Sequence, residues 1–208
     1  MIKQLSRLSF QSWTRAGRVL LLTGLISLGV APLGWHKLGN ARESQSSQTV
    51  VALDWSGASF PVENFQEYTS PFGYRSSGFH YGLDLAAPNG SYIRSWWAGK
   101  VVEVWEDGRC GTGIAIDSGR WTHIYCHVQG KVEKDRLGRR YFVDRQGGIQ
   151  LWEGQMVPSG SRIARVGMTG RTTGPHLHWG LKYSGKWVDP GRVLMAMYQQ
   201  QNSRYSLR

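Results

Sequence analysis

Gly113-Ile114-Ala115-Ile116-Asp117-Ser118-Gly119-Arg120-Trp121-Thr122-His123-Ile124-Tyr125-Cys126-His127 sets two short runs rich in β-branched and aromatic residues on either side of a turn-rich link. Runs of this kind, bounded by Asp, Ser and Gly, predict a β-hairpin. Centred on Ser118, the hairpin puts Cys110 and Cys126, the only cysteines, directly opposite one another. Opposed side chains lie within reach of a disulfide, which an oxidising compartment would preserve; the alternatives are an unbridged pair or a metal-binding pair. On the second strand His123, Tyr125 and His127 share one alternating face, and Thr122, Ile124 and Cys126 share the other. The histidine face is expected to look into a groove, with Cys126 turned away.

Outward from the hairpin, residues 92–97, 100–105, 162–166 and 176–183 carry the same signals, each run bounded by Gly, Pro, Asn, Asp or Ser. Only 193–200 reads as briefly helical. Short alternating runs without a long 3.6-residue period predict a mainly antiparallel β domain. The 208 residues suffice for one such domain with a hydrophobic core, despite 27 glycines. The basic, turn-rich stretch 131–148 reads as an excursion between strands, either bordering a groove or forming a solvated hairpin.

The N-terminus has a different character. Lys3, Arg7, Arg15 and Arg18 precede a charge-free apolar run, 19–35, and the first acidic residue is Glu43. This is the pattern of an export segment, with Gly39-Asn40-Ala41 as a small-x-small cleavage site and a run nearly long enough to span a bilayer. Residues 1–41 are therefore expected to be a signal peptide or a membrane anchor, and the polar 42–49 a linker. The expected location is the periplasm or cell envelope, in contact with the cytoplasmic membrane through 19–35 if the segment is uncleaved.

The chain carries 25 basic and 14 acidic residues, a net charge of +11; without residues 1–41 it keeps 20 basic residues and a charge of +6. In an exported protein that excess points to anionic envelope polymers or lipid head groups rather than to nucleic acid, or to scattered surface lysine and arginine.

Five of the six histidines fall in three turn-bounded segments. In Gly174-Pro175-His176-Leu177-His178-Trp179, strand alternation puts both imidazoles on one face, where they can share a metal site. In His80-Tyr81-Gly82-Leu83-Asp84, a histidine and a carboxylate share a face if the segment is extended; Gly82, Pro88 and Gly90 argue against a helix. His80, Asp84 and one of His176 or His178 would make the three protein ligands of a catalytic zinc site with a fourth position open. The other histidine of the pair and His127 would then stand beside the water and the developing oxyanion.

Taken in order, these motifs resemble the M23 or LytM-type zinc metallopeptidases, which include lysostaphin-like enzymes. The likeness runs through Ser70-Pro71-Phe72-Gly73-Tyr74-Arg75, Gly78-Phe79-His80-Tyr81-Gly82-Leu83-Asp84-Leu85-Ala86 and Ala98-Gly99-Lys100-Val101. It continues in Tyr125-Cys126-His127-Val128, Gly154-Gln155-Met156-Val157 and Val166-Gly167-Met168-Thr169-Gly170-Arg171-Thr172-Thr173-Gly174-Pro175-His176-Leu177-His178. The resemblance implies one zinc ion on His80, Asp84 and His178, with His127 and His176 catalytic. It implies a compact antiparallel β-sheet domain, LytM-like, with an open groove, and a zinc endopeptidase that cuts peptide crosslinks or stems of peptidoglycan; the folded domain is expected over 50–198, followed by a polar tail, 199–208. The alternative is a non-catalytic LytM-like module that binds the wall and activates a separate amidase; such modules typically lack one or more of these five residues, all present here. The chain departs from the pattern in the basic excursion after His127 and in Trp179-Gly180, where the family often has an aromatic and then an acidic residue.

Overall fold

A computed structural model of the chain describes residues 54–205. The chain divides at Ala52 and Leu53, and all described residues belong to the second unit. The export segment 1–41, the linker 42–49 and His36 lie outside the described residues. Among those described, no helix is long and apolar enough to cross a membrane.

The domain is mainly antiparallel β. In chain order its elements are β1 (Glu67–Ser70), β2 (Gly73–Arg75), β3 (Gly78–His80), β4 (Leu83–Ala86), β5 (Tyr92–Arg94), β6 (Gly99–Asp107), β7 (Gly111–Ser118), β8 (Trp121–Cys126) and β9 (Val128–Gln129). Then follow β10 (Lys131–Lys134), β11 (Arg140–Asp144), β12 (Ile149–Trp152), β13 (Met156–Val157), β14 (Arg162–Val166), β15 (His176–Tyr183), β16 (Lys186–Val188) and α1 (Pro190–Tyr205). The main sheet runs β1-β4-β15-β8-β7-β6-β13, with β16 also paired to β15; β5-β14-β9, β10-β11-β12 and β2-β3 form smaller sheets. The helix expected over 193–200 extends further at both ends.

β15 shows why the main sheet holds together. Leu177, Trp179 and Leu181 are fully buried while His176 and His178 remain partly open, so one face packs on the core and the other faces out. Around Trp96 the rings of Trp55, Trp97, Trp121, His123 and Trp179 lie with centroids 5.3 to 5.7 Å away. Aromatic packing at these separations adds to what burial alone contributes.

Two expectations are corrected here. The β7–β8 hairpin pairs Ser118 with Trp121 and Ile114 with Tyr125, so it turns at Gly119-Arg120 rather than at Ser118. Cys110 therefore lies beyond the hairpin, in the turn between β6 and β7, and from there it forms a disulfide with Cys126. The second correction concerns His123 and Tyr125, which are fully buried and face the core instead of a groove.

A hydrogen-bonded chain accounts for the buried imidazole. The Ser118 hydroxyl donates to Ala98 O, which leaves Ser118 Oγ to accept from His123 Nε2 at 2.8 Å. His123 Nδ1 then accepts from the Tyr125 hydroxyl at 2.7 Å, and Tyr125 Oη accepts from the Trp96 amide at 2.8 Å. The link from the Tyr125 hydroxyl to Nδ1 requires a neutral His123, in keeping with burial that pushes its pKa down to about 3. Within the excursion Lys131 and Arg145 pair with Glu133 and Arg139 pairs with Asp135, while Arg140 reaches Glu153 beyond it. Asp144, 3% exposed, clamps it to β14 through two bonds from Arg165 at 2.6 and 2.8 Å.

Because the unfolded chain protonates His123 near pH 6.5 and the folded domain does so only near pH 3, its contribution to stability is complete above pH 6.5 and is lost as pH falls through that window. Urea unfolding at pH 6, 5 and 4 should show a loss approaching 1.4 kcal/mol per unit from this one group. A His123→Gln protein should be less stable at pH 7 but with a correspondingly flatter pH dependence; equal slopes would refute the assignment.

Candidate metal centre

β15 carries His176 and His178 on its outward face, and its register with β4 gives them different neighbours. His178 pairs with Asp84, whereas His176 pairs with Ala86. Directly opposed residues of neighbouring strands bring their side chains together. Accordingly His178 Nδ1 lies 2.9 Å from Asp84 Oδ1, while His176 Nε2 lies 3.7 Å from the same oxygen.

His80 reaches the same point by another route. It ends β3 in the small β2-β3 sheet, and the chain bends at Tyr81-Gly82 before β4 enters the main sheet. His80 and Asp84 therefore do not share one extended segment, as their spacing suggested; the bend brings them together. Gly82 is required there by close approach, since a Cβ at this position would lie 2.5 Å from Cε1 and Nε2 of His178 and 2.9 Å from Trp179 O.

His80 Nε2 is 2.9 Å from His178 Nδ1 and 3.1 Å from Asp84 Oδ1. His80 Nδ1 lies 2.7 Å from Pro71 O, a carbonyl that only accepts, so the proton belongs on Nδ1 and Nε2 presents a lone pair to the cluster. Asp84 also only accepts when ionised. Three electron-rich atoms thus converge with a proton available from His178 alone, an arrangement that suits a cation. Tetrahedral zinc with nitrogen and oxygen ligands near 2.0–2.1 Å requires ligand separations of about 3.3 Å, a few tenths more than the triangle observed. The donor set fits such an ion.

Burial acts to raise the Asp84 pKa, but the imidazoles of His178 and His80 beside it outweigh burial and hold the carboxyl well below the usual range. Burial lowers the pKa of His178, favouring the neutral ring that a ligand must be. Arg75 Nη1 stands 3.8 Å from Asp84 Oδ2 and donates to Ser70 Oγ at 2.6 Å, which places a fixed cation behind the carboxylate.

His127 is not carried on the β8 face. It follows the strand with φ +61°, a left-handed conformation that breaks the alternation and turns the ring away from buried His123 and Tyr125. Its Nδ1–H donates to Thr169 O at 2.8 Å, and its ring centroid lies 4.7 Å from that of His176 and 6.1 Å from that of His178. Burial lowers its pKa and favours the neutral base. His176 Nδ1 is anchored by Gly174 O at 2.9 Å and Thr172 Oγ1 at 3.2 Å.

The five residues singled out in the sequence thus come together, and His123 does not join them. Spacing had not revealed the parts played by Pro71, Gly82, Thr169 and Thr172, although all four lie within the quoted motifs. Their contributions are carbonyls, a missing side chain and one hydroxyl, none of which leaves a pattern in composition or periodicity.

Known proteins share this arrangement of sequence and fold. The DD-carboxypeptidase/endopeptidase Mpg of Neisseria meningitidis serogroup B is 29% identical over 63% of this chain and 28% of its own length. The peptidoglycan DD-endopeptidase ShyB of Vibrio cholerae is 33% identical over 53% of this chain and 22% of its own. The chain thus matches about a quarter of the length of these relatives. Among solved structures, a zinc-containing peptidase from Vibrio cholerae superposes with a TM-score of 0.50 at 28% identity, over 66% of this chain and 38% of that one. A mutant catalytic domain of the prophage-encoded M23 protein EnpA from Enterococcus faecalis gives 0.50 at 26% identity, over 65% of this chain and 95% of its own. Residues 78–190, more than half of the chain and the stretch holding all five converging side chains, match Peptidase family M23, and the chain belongs to that family.

Proposed function

We propose that this protein is a zinc-dependent endopeptidase that hydrolyses peptide bonds in the crosslinks or stems of peptidoglycan. The observation that carries the reading is the convergence of His80, Asp84 and His178 on one point, with His127 and His176 beside it. The similarity to a DD-carboxypeptidase/endopeptidase and to a peptidoglycan DD-endopeptidase supports the substrate class. The disulfide and the basic leader support an exported protein working at the wall, anchored to the cytoplasmic membrane if 19–35 is retained.

In this reading His80 Nε2, Asp84 Oδ1 and His178 Nδ1 would hold one zinc ion, which would supply Lewis acidity toward a water and the scissile carbonyl. Pro71 O and Arg75 orient His80 and Asp84. With Nδ1–H fixed on Thr169 O, His127 keeps Nε2 as the nitrogen that takes the proton of the attacking water. With Nδ1 held by Gly174 O, His176 directs Nε2 to the same space, where a proton on that nitrogen would stabilise the oxyanion, while His127 returns to the leaving amine the proton it took from water.

Purified protein should carry about one zinc per chain and release muropeptides whose masses identify the bond cut. Chelation should abolish release and zinc should restore it. His178→Ala and Asp84→Ala should lose both metal and activity. By contrast, His127→Ala and His176→Ala should keep the metal and lose about 10²–10⁴-fold in kcat, the usual scale for acid–base groups. Full activity in His178→Ala would sink the mechanism, and wall binding with amidase stimulation but no hydrolysis would support the non-catalytic alternative instead.

Gly82→Ala offers a check on positioning. The added methyl pushes on the His178 ring and should weaken zinc at least tenfold in competition with a chromophoric chelator, the scale seen when groups that orient a ligand are disturbed. Unchanged affinity would show that the bend has no such role.

A further inference from the structure

The β6–β7 turn, residues 107–111, lies outside the metal cluster, yet nearly everything that fixes His127 passes through it. Its Cys110 is bonded to Cys126, the residue immediately before His127. Cys110 O accepts the His127 amide at 2.8 Å. Disulfide and hydrogen bond thus close one small ring that includes the amide N–H of His127 and fixes the residue from its N-terminal side. The turn is itself stiffened by Asp107, whose Oδ1 accepts the amides of Arg109 at 2.7 Å and Cys110 at 2.6 Å, and whose Oδ2 accepts Trp105 Nε1 at 2.9 Å.

The same turn holds the segment that anchors the His127 ring. Arg109 O accepts the Arg171 amide at 3.0 Å, and the Thr112 amide donates to Thr169 Oγ1 at 2.9 Å. Gly111 and Gly170 meet backbone to backbone, where a Cβ on either would collide with the other. Thr169 O in turn receives His127 Nδ1–H, and His127 O accepts the Gly167 amide at 2.9 Å. Left-handed φ is costly for a residue with a β-carbon and persists where the surroundings over-determine it. These surroundings are the disulfide turn on one side and residues 167–170 on the other.

We propose that the Cys110–Cys126 disulfide is a positioning device for His127: it holds the histidine in its left-handed conformation with Nε2 toward the site, without contributing to metal binding. The inference rests on the proposed catalytic role of His127. It follows that cleavage of the disulfide uncouples metal occupancy from turnover. His80, Asp84 and His178 are held by the β4–β15 register and the Gly82 bend, neither of which includes residues 107–111, and where His178 lies opposite Cys126 the contact is a backbone pairing of β15 with β8 that does not need the S–S bond.

The experiment uses the zinc-loaded protein in oxidised form, after reduction with a phosphine, and as a Cys110→Ala/Cys126→Ala variant. Phosphine reduction breaks the S–S bond; water supplies two protons for the thiols and its oxygen to the phosphine oxide. Zinc content, kcat and KM on peptidoglycan fragments, and hydrogen exchange of the His127 amide are then measured. Reduced and variant proteins are expected to retain one zinc and a KM within twofold, to lose at least tenfold in kcat, and to exchange the His127 amide at least a hundredfold faster; reoxidation restores the reduced protein. In a His127→Ala background, removal of the disulfide should change kcat less than twofold, which a general loss of structure would not produce. A folded, zinc-loaded, reduced protein with unchanged kcat overturns the proposal, as does an equal fall in kcat with and without His127. Faster exchange at His127 in a protein that hydrolyses no peptidoglycan in any form would sustain the clamp and sink the hydrolase reading.

Discussion

β15 is paired between β4 and β8, and the register of that pairing is the constraint on which the site depends. It sets His178 opposite Asp84 on one side and opposite Cys126 on the other. A slip of one residue would turn Leu177 and Trp179 to the groove and both histidines to the core. Leu177 and Trp179 are fully buried, so the core itself opposes that slip. Burial of two apolar residues thus places the polar pair between them, and stability and site geometry have the same origin.

Two features of the resulting site depend on support from around it. Lone pairs of His80 and Asp84 converge beside His178 in an arrangement suited to a cation, and His127 occupies a left-handed backbone conformation that is costly for a residue with a β-carbon. Both are held from outside, by Pro71 O and Arg75 at the cluster and by the Cys110 turn and Thr169 at His127. That pattern, local cost offset by surrounding structure, is what preorganised chemistry requires.

Legibility of the fold followed the length and burial of each strand. The runs at 162–166 and 176–183 coincide with β14 and β15, because alternation over five to eight residues reflects a sheet with one buried face. β1, β2, β3, β13 and β16 are two to four residues long, too short for any period to register. The hairpin was legible but its register was not: Asp117, Ser118, Gly119 and Arg120 are all acceptable turn residues, and the choice of Gly119-Arg120 over Ser118 moves Cys110 out of the hairpin. The disulfide forms all the same, because the β6–β7 turn folds Cys110 back to Cys126 with their Cα atoms 4.9 Å apart.

Within the site, sequence alone could place His176 and His178 on one face but could not rank them, because alternation fixes a face and says nothing about the neighbouring strand. The distinction lies in β4, where Asp84 stands beside one ring and Ala86 beside the other. Spacing misled in the opposite sense at His127, which alternation grouped with His123 and Tyr125. Those two are buried in a neutral hydrogen-bonded chain, while one left-handed residue takes His127 out of the strand and over to His176. A motif match carries the assignment across such a break because it compares whole local structures, bend and bulge included. Periodicity describes only the regular strand: it reaches Asp84, His176 and His178 on β4 and β15, but not His127, which stands where that regularity ends.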